Sequence, residues 1–451
     1  MQRRVEKLAF RGEPVTLRAM TGGDPRTATS VSPARAWILF ALLCVAGIFN
    51  AMDRPVIAIL KPDMSADLGW NDARFGELAA MTQFAAALSF LFTGWMIDKL
   101  GVRRSVIVGV TAWSFAALAH GWARTSGQVV AARLGLGATE AVQTPLTIKT
   151  VATLFQPERR SFAVGLGTAI ASTGTILLPF GVPVMAAAFG WRGALVFAGA
   201  GGLLTLIAWL VAARGVRFDD GAELAQADYS DDGAPYGPIL SERRTWAIVI
   251  AKALSDSTWW LLNFWLPDFY RREFGLSTAE LAIPLAIAFA GSGGGAFLAG
   301  WISTRLIERG WVVDRVRRTV MLASACLVAP VPFVLLLDSF WPVAIAMGLV
   351  LAGHQGFSLS LFSIITDVVP RAKVGRVTAF GAFCGNLGGM AIVWVTGVVL
   401  TAGGGYFPLF VFAAASYFLA YGWLRLLMPR VRPVEAPAAD GPLPTQSMSS
   451  G

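Results

Sequence analysis

The sequence predicts an all-α membrane protein of twelve transmembrane helices in two six-helix halves, and three observations carry that prediction. Of 451 residues, 55% are hydrophobic and only 14% are charged, where a soluble chain carries about 25% charge. Apolar runs of roughly 20 residues, each enough for one bilayer crossing, recur about twelve times. They are continuous rather than alternating, which excludes a β-barrel. Lys and Arg gather in every second connection, as expected of loops that all lie on one side of a membrane.

The elements follow in order. Residues 1–34 carry no apolar periodicity and read as a disordered arm. The first half, 35–213, is predicted to cross at about 36–58, 75–97, 104–122, 127–153, 161–187 and 192–213. Residues 214–244 turn polar (Asp219, Asp220, Glu223, Asp228, Asp231, Asp232) and are too long for a tight turn, so they form a linker between the halves. The second half, 245–428, crosses at about 246–269, 279–303, 318–337, 340–365, 375–401 and 406–428. Residues 429–451 are rich in Pro, Ala and Ser and read as a disordered tail.

The formal charge of +9 invites a nucleic-acid reading, which its distribution contradicts. Arg3, Arg4, Lys7, Arg11, Arg18, Arg26 and Arg35 precede the first span, and Lys99, Arg103 and Arg104 follow the second. Arg159 and Arg160 follow the fourth, Arg214 and Arg217 the sixth, Arg305 and Arg309 the eighth, and Arg371, Lys373 and Arg376 the tenth. This places both termini on the cytoplasmic side and reports topology, with the lipid bilayer and not nucleic acid as partner. Three cysteines, all in apolar runs, and two histidines give neither a disulfide framework nor a metal site, and no cofactor is expected. The N-terminus lacks a signal-peptide core, so the first span is expected to serve as its own insertion signal.

The halves echo each other. Gly94-Trp95-Met96-Ile97-Asp98-Lys99 after span two is matched by Gly300-Trp301-Ile302-Ser303-Thr304-Arg305 after span eight. Two repeated halves with a site between them are the anatomy of an alternating-access transporter. The first span closes on Asp53-Arg54. A charge at membrane depth costs about 2.5–3.5 kcal/mol on insertion scales, so it persists where it is paired, hydrated or functional. The pair either anchors the helix at the headgroups or lines a water-filled path. Arg54 suits a carboxylate, which a guanidinium grips through two parallel hydrogen bonds; it also neutralises Asp53.

Arg133 and Glu140, seven residues apart in one apolar helix, share a face but are too far apart to bond each other. Each needs a partner elsewhere, either in a static ion pair or, for Glu140, as a proton carrier. Lys252, Asp256, Trp260, Asn263 and Pro267 share a face of span seven, and Lys252 and Asp256 are spaced to pair within the helix. Trp260 either floors a site or packs. Asn386, between Gly385 and Gly388, either bonds a neighbouring helix or meets a ligand. Gln143, Gln355 and Ser358 are further candidates for hydroxyl recognition, and His354 reads as structural. There is no nucleophile–base set, so an enzyme is not expected.

Gly94-x3-Asp98-Lys99-x-Gly101-x-Arg103-Arg104 resembles the loop signature of the major facilitator superfamily, and Arg133-x3-Gly137 resembles its fourth-span motif. Asp53-Arg54, Arg133 through Ala141, Asp256 through Trp260, Trp265-Leu266-Pro267, His354-Gln355-Gly356 and Cys384 through Leu387 are similar to the anion:cation symporter family, in particular its hexuronate and galactonate permeases. The resemblance implies proton coupling through Asp53 and Glu140 and a substrate carboxylate on Arg54. It implies hydroxyl contacts at Asn386 and a cytoplasmic gate at Gly94, Asp98, Lys99, Arg103 and Arg104. It implies a symporter of a small organic anion and H+, acting as a monomer in the bacterial inner membrane, with a sugar acid as first substrate class. An aromatic or dicarboxylic acid is the alternative, since two polar groups of the sugar-acid permeases are missing: span two reads Gln83-Phe84-Ala85-Ala86 where they carry a tyrosine, and span five reads Ala171-Ser172 where they carry a glutamine. A drug exporter or a non-transporting sensor ranks lower.

Overall fold

A computed structural model describes residues 31–216, 218 and 237–430. The predicted arm up to residue 30, most of the linker and the tail from residue 431 lie outside the described residues, as do the side chains of Asp53 and Asp98. Among the described residues the chain is almost wholly helical and contains no strand. Nine segments among the described residues are long and apolar enough to cross a bilayer, one of which (Gly165–Ala212) holds two crossings. The remaining two crossings, at 126–154 and 243–274, are not among them: the first is broken into helices of 15 and 12 residues, and both carry charge, Arg133 and Glu140 in one and Lys252, Asp256 and Asp268 in the other. The crossings that look least like membrane helices are the ones that carry charge inward.

The first half begins with α1 (Pro33–Ala51), α2 (Asp53–Ile59) and α3 (Lys61–Leu68). Helix α1 starts within the stretch assigned to the arm, with proline in its first turn, where a missing N–H is tolerated. Then come α4 (Asp72–Ala119), α5 (Ser126–Glu140), α6 (Gln143–Leu154) and α7 (Pro157–Ala212). α4 and α7 each hold two crossings that reverse at a single residue, Gly101 (φ 72°) and Gly190 (φ 69°). That left-handed conformation crowds a Cβ, which is why glycine stands at both turns. Asp67 clamps the far loops of this half. It accepts hydrogen bonds from Arg192 Nη1 at 2.6 Å and Trp191 Nε1 at 3.2 Å, while Arg192 Nε donates to Ala123 O at 2.9 Å. The Arg192 contact holds the Asp67 carboxyl below the ordinary carboxylate range.

The second half opens with a short α8 (Gly237–Leu240), so the end of the predicted linker is structured. It continues through α9 (Arg243–Phe274), α10 (Ala282–Glu308), α11 (Val313–Val328) with a 3₁₀ turn at Val331–Leu336, α12 (Phe340–Val368), α13 (Arg371–Thr401) and α14 (Phe407–Leu427). Helix α9 runs five residues beyond the predicted 246–269 and carries Asp268, Arg271 and Arg272 on its final turns. α9 packs on α13 and α14, and α10 on α12.

Small residues set how closely helices approach. A Cβ on Gly137 of α5 would lie 2.3 Å from the Thr82 carbonyl oxygen of α4, a backbone atom that yields only if the helices part. Gly137→Ala is therefore expected to cost about 1–3 kcal/mol, seen as a lowered unfolding midpoint in detergent. Across the halves, a Cβ on Gly76 (α4) would meet Val393 O at 2.9 Å and Gly397 Cα at 3.0 Å, both on α13. One apolar core runs through this junction, from Met52, Val56, Met64 and Phe75 of the first half to Trp265, Phe269 and Tyr406 of the second.

Candidate functional site

The helices of the first crossing and the fourth are both interrupted, and the two breaks face each other. α1 gives way to α2 at Met52, and α5 gives way to α6 at Ala141-Val142. Arg54 lies one residue into α2 and Glu140 ends α5; Arg54 Nη2 donates to Glu140 Oε1. The Glu140 side chain is fully shielded, whereas that of Arg54 retains 23% exposure. The Arg54 guanidinium carbon also lies 5.2 Å from the ring centre of Trp260, which belongs to α9 of the other half. Arg54 thus has a carboxylate from its own half and an aromatic face from the opposite half. The ring's negative face favours the cation beyond simple packing.

The sequence asks for a partner for Glu140 on another helix, and Arg54 fills that place. Arg133, two turns away on α5, is fully buried. Gln143 opens α6 and donates from Nε2 to Leu43 O at 3.0 Å, against Gly47 of α1. The α1–α2 face through Leu43, Gly47, Asn50 and Arg54 therefore runs along Gln143 and Glu140.

In the second half, Lys252 Nζ lies 2.8 Å from Asp256 Oδ2 and 4.7 Å from the Phe362 ring centre. Lys252, Asp256 and Trp260 press on Gly381, Gly385 and Gly389 of α13; a Cβ on Gly385 would meet Asp256 Oδ2 at 2.3 Å and one on Gly389 would meet Trp260 Cδ1 at 2.1 Å. Three glycines at four-residue spacing make room for three large side chains at the same spacing. Asn263 Nδ2 donates to Trp259 O at 2.9 Å, and Asn386 Nδ2 to Ala382 O at 2.8 Å, which leaves each amide oxygen to accept. Gln355 Nε2 donates to Ser292 Oγ at 3.0 Å and joins α12 to α10, while Ser358 is buried on α12. His354 stacks on Trp259 with centroids 5.1 Å apart and lies 2.9 Å from the Tyr417 hydroxyl.

The signature loop lies apart from this centre. Gly94 opens onto free space, Lys99 lies over Trp95 at 5.0 Å, and Arg103 and Arg104 are exposed. Sequence reasoning missed a second charged cluster at the opposite end of the bundle. Buried Lys61 lies 2.5 Å from Asp72 and 2.6 Å from Asp268. Arg272 lies 2.6 Å from Asp268 and 2.7 Å from Asp72, and the Tyr406 hydroxyl donates to Asp268 Oδ2 at 2.6 Å. Trp265 stands 4.4 Å from Lys61 Nζ, and Ala73 N donates to Thr401 Oγ1 at 2.8 Å. These contacts tie the two halves together at the end carrying the 60–72 connection. The signal available in the sequence was a set of charges just past the ends of apolar runs.

A family model described as the Major Facilitator Superfamily matches residues 43–309 and 309–450. The chain is 22% identical over 414 residues to a D-galactonate transporter of Escherichia coli, covering 86% of this chain and 96% of that protein. It is 23% identical over 391 residues to a hexuronate transporter of Escherichia coli, covering 83% and 89% respectively. Among solved structures it resembles a D-xylose-proton symporter with a TM-score of 0.67 at 14% identity, covering 88% of this chain and 98% of that one.

Proposed function

Because the chain belongs to the Major Facilitator Superfamily, whose members are membrane transporters rather than enzymes, we propose that it imports a small organic anion together with a proton by alternating access between its halves. A sugar acid is the first substrate class, in line with its similarity to the galactonate and hexuronate transporters. The observation that carries this reading is Arg54, held by Glu140 from its own half and faced by Trp260 from the other.

The chemistry follows from counting charge at that point. An arriving carboxylate must take the guanidinium from Glu140. If Glu140 stays ionised, two carboxylates share one cation, and like charges about 4 Å apart repel by roughly 4 kcal/mol at an effective dielectric of 20. A proton on Glu140 removes that repulsion and frees Arg54 for the substrate. Anion and proton then enter together and leave together. Asp53, next to Arg54 in the chain, serves as a second proton site, Asn386 reads substrate hydroxyls, and Asn263, Gln143, Gln355 and Ser358 supply further polar contacts. Arg133, Lys252 and Asp256 hold the charge balance of the two halves. With both termini cytoplasmic in a bacterial inner membrane, the end closed by Lys61 and Asp268 faces outward, and the signature loop with Asp98 and Lys99 forms the opposite gate. The transporter works as a monomer.

The test is proton movement. Purified protein in proteoliposomes with an external pH dye is given D-galactonate, hexuronates and aromatic acids in turn. Alkalinisation outside on adding one acid, absent from empty vesicles, is the expected result. Proton movement with cationic or neutral amphiphiles and with none of the acids overturns the reading.

A further inference from the structure

Gln83 is fully shielded from solvent, and neither its Nε2 nor its Oε1 meets a hydrogen-bond partner among the described residues. A primary amide offers two donors and two acceptor sites. Enclosing one without partners is costly, and a leucine of nearly the same size would avoid the cost. Such a group persists where something other than the resting protein uses it.

Its position says what that is. Gln83 lies seven residues after Gly76 on α4, so both point within about 20° of one direction. Gly76 points at α13 of the other half, against Val393 and Gly397, and α4 and α13 run antiparallel there, with Ala73 bonded to Thr401. Continuing that register brings Gln83 to the level of Met390, about one turn, or 6 Å, from Asn386. Gly389, next to Met390, is covered by the Trp260 indole, and Trp260 lies over Arg54. On its other side, the backbone at Thr82 presses on Gly137 of α5, one turn from Glu140. Gln83 therefore stands at the level of the Arg54 site, on the seam between the halves, facing the helix that carries Asn386.

We propose that Gln83 is a specificity-determining residue: with Asn386 across the seam, it reads the hydroxyl groups of a polyhydroxylated acid whose carboxylate is on Arg54. Each hydroxyl both donates and accepts, which matches the two free ends of the Gln83 amide and the free oxygen of Asn386. An acid of the same charge and length without hydroxyls leaves these amides unanswered, and a buried polar site discriminates strongly against such a ligand. The inference rests on the reading of Arg54 as the carboxylate site.

The experiment compares uptake of D-galactonate and hexanoate by the full chain in proteoliposomes, for the unmodified protein, Gln83→Leu and Gln83→Met. The unmodified protein is expected to prefer D-galactonate. Both variants should raise the KM for D-galactonate by about ten-fold or more, shift that for hexanoate less than two-fold, and unfold no earlier on heating. A buried amide serving only as helix packing or a water site would leave the ratio of the two acids unchanged, and that result overturns the inference alone. Transport of neither acid by the unmodified protein overturns the inference, and the carboxylate reading falls with it only if hexuronates and aromatic acids are not transported either. Two variants guard against a local packing defect, since loss of transport in one with preserved discrimination in the other also counts against the proposal.

Discussion

Replacing Arg54 by alanine is expected to reduce uptake of the transported acid by at least about 100-fold, with Arg54→Lys recovering only a small part. A charge-assisted bidentate contact contributes more than a neutral hydrogen bond, and its loss leaves the substrate carboxylate without the guanidinium that balances its charge. Truncation also leaves Glu140, whose side chain is fully shielded, without the Arg54 hydrogen bond. Lysine restores a charge but not the planar fork, and it cannot stack on Trp260 as a guanidinium does. Uptake of labelled acid under an imposed pH gradient reads the effect. Transport within a few-fold of the unmodified protein in Arg54→Ala would show that the anion is held elsewhere.

The second large effect is expected at the cluster of Lys61, Asp72, Asp268, Arg272 and Tyr406 that joins the halves. Asp268 accepts from Lys61, Arg272 and Tyr406 at once, and Lys61 is buried between it and Asp72. Asp268→Ala leaves a buried ammonium with one carboxylate instead of two, and removing one partner of a buried ion pair costs about 3–5 kcal/mol. The loss falls on the contact between halves, so the expected outcome is a population shift toward separation at this end, together with lower stability. Labelling of a cysteine placed at Ala73, beside the bond to Thr401, should quicken by ten-fold or more in Asp268→Ala. Unchanged labelling would mean that the glycine contact of Gly76 with Gly397 holds this end closed without the charges. Because the asparagine oxygen can still accept a hydrogen bond from Lys61 or Arg272, Asp268→Asn is expected to give a smaller shift in the same direction.

Much of the fold was legible because membrane crossings announce themselves locally. Continuous apolar runs, the alternation of basic connections and the polar break near residue 214 placed the twelve crossings and the two halves. The reversals at Gly101 and Gly190 came within a few residues of their predicted places. The Lys252–Asp256 contact was legible for the same reason, since four residues of one helix fix it. What could not be read were meetings between distant segments. The sequence offered Asp53 as the neighbour for Arg54 and left Glu140 without a named partner; the structure joins residues 86 positions apart. The Lys61–Asp268 cluster draws on Lys61, Asp72, Asp268 and Arg272 from three helices and on Tyr406 just before a fourth, and each alone looks like an ordinary charge or aromatic near a membrane surface. In the sequence Gln83 is only part of a stretch, Gln83-Phe84-Ala85-Ala86, that lacks a tyrosine, because burial without a partner is a property of the packed molecule and not of the string of residues.

In the proposed mechanism the substrate carboxylate replaces the Glu140 carboxylate on Arg54 as Glu140 takes up a proton. The measurement that tests it most directly separates exchange from accumulation in Glu140→Gln. A glutamine there mimics the protonated acid and cannot give the proton back. The variant is expected to exchange internal for external labelled acid at a rate within a few-fold of the unmodified protein, yet to build no concentration gradient when a pH gradient is imposed. Accumulation by Glu140→Gln equal to that of the unmodified protein would contradict the account, because the driving proton would then travel by a route that does not pass through Glu140.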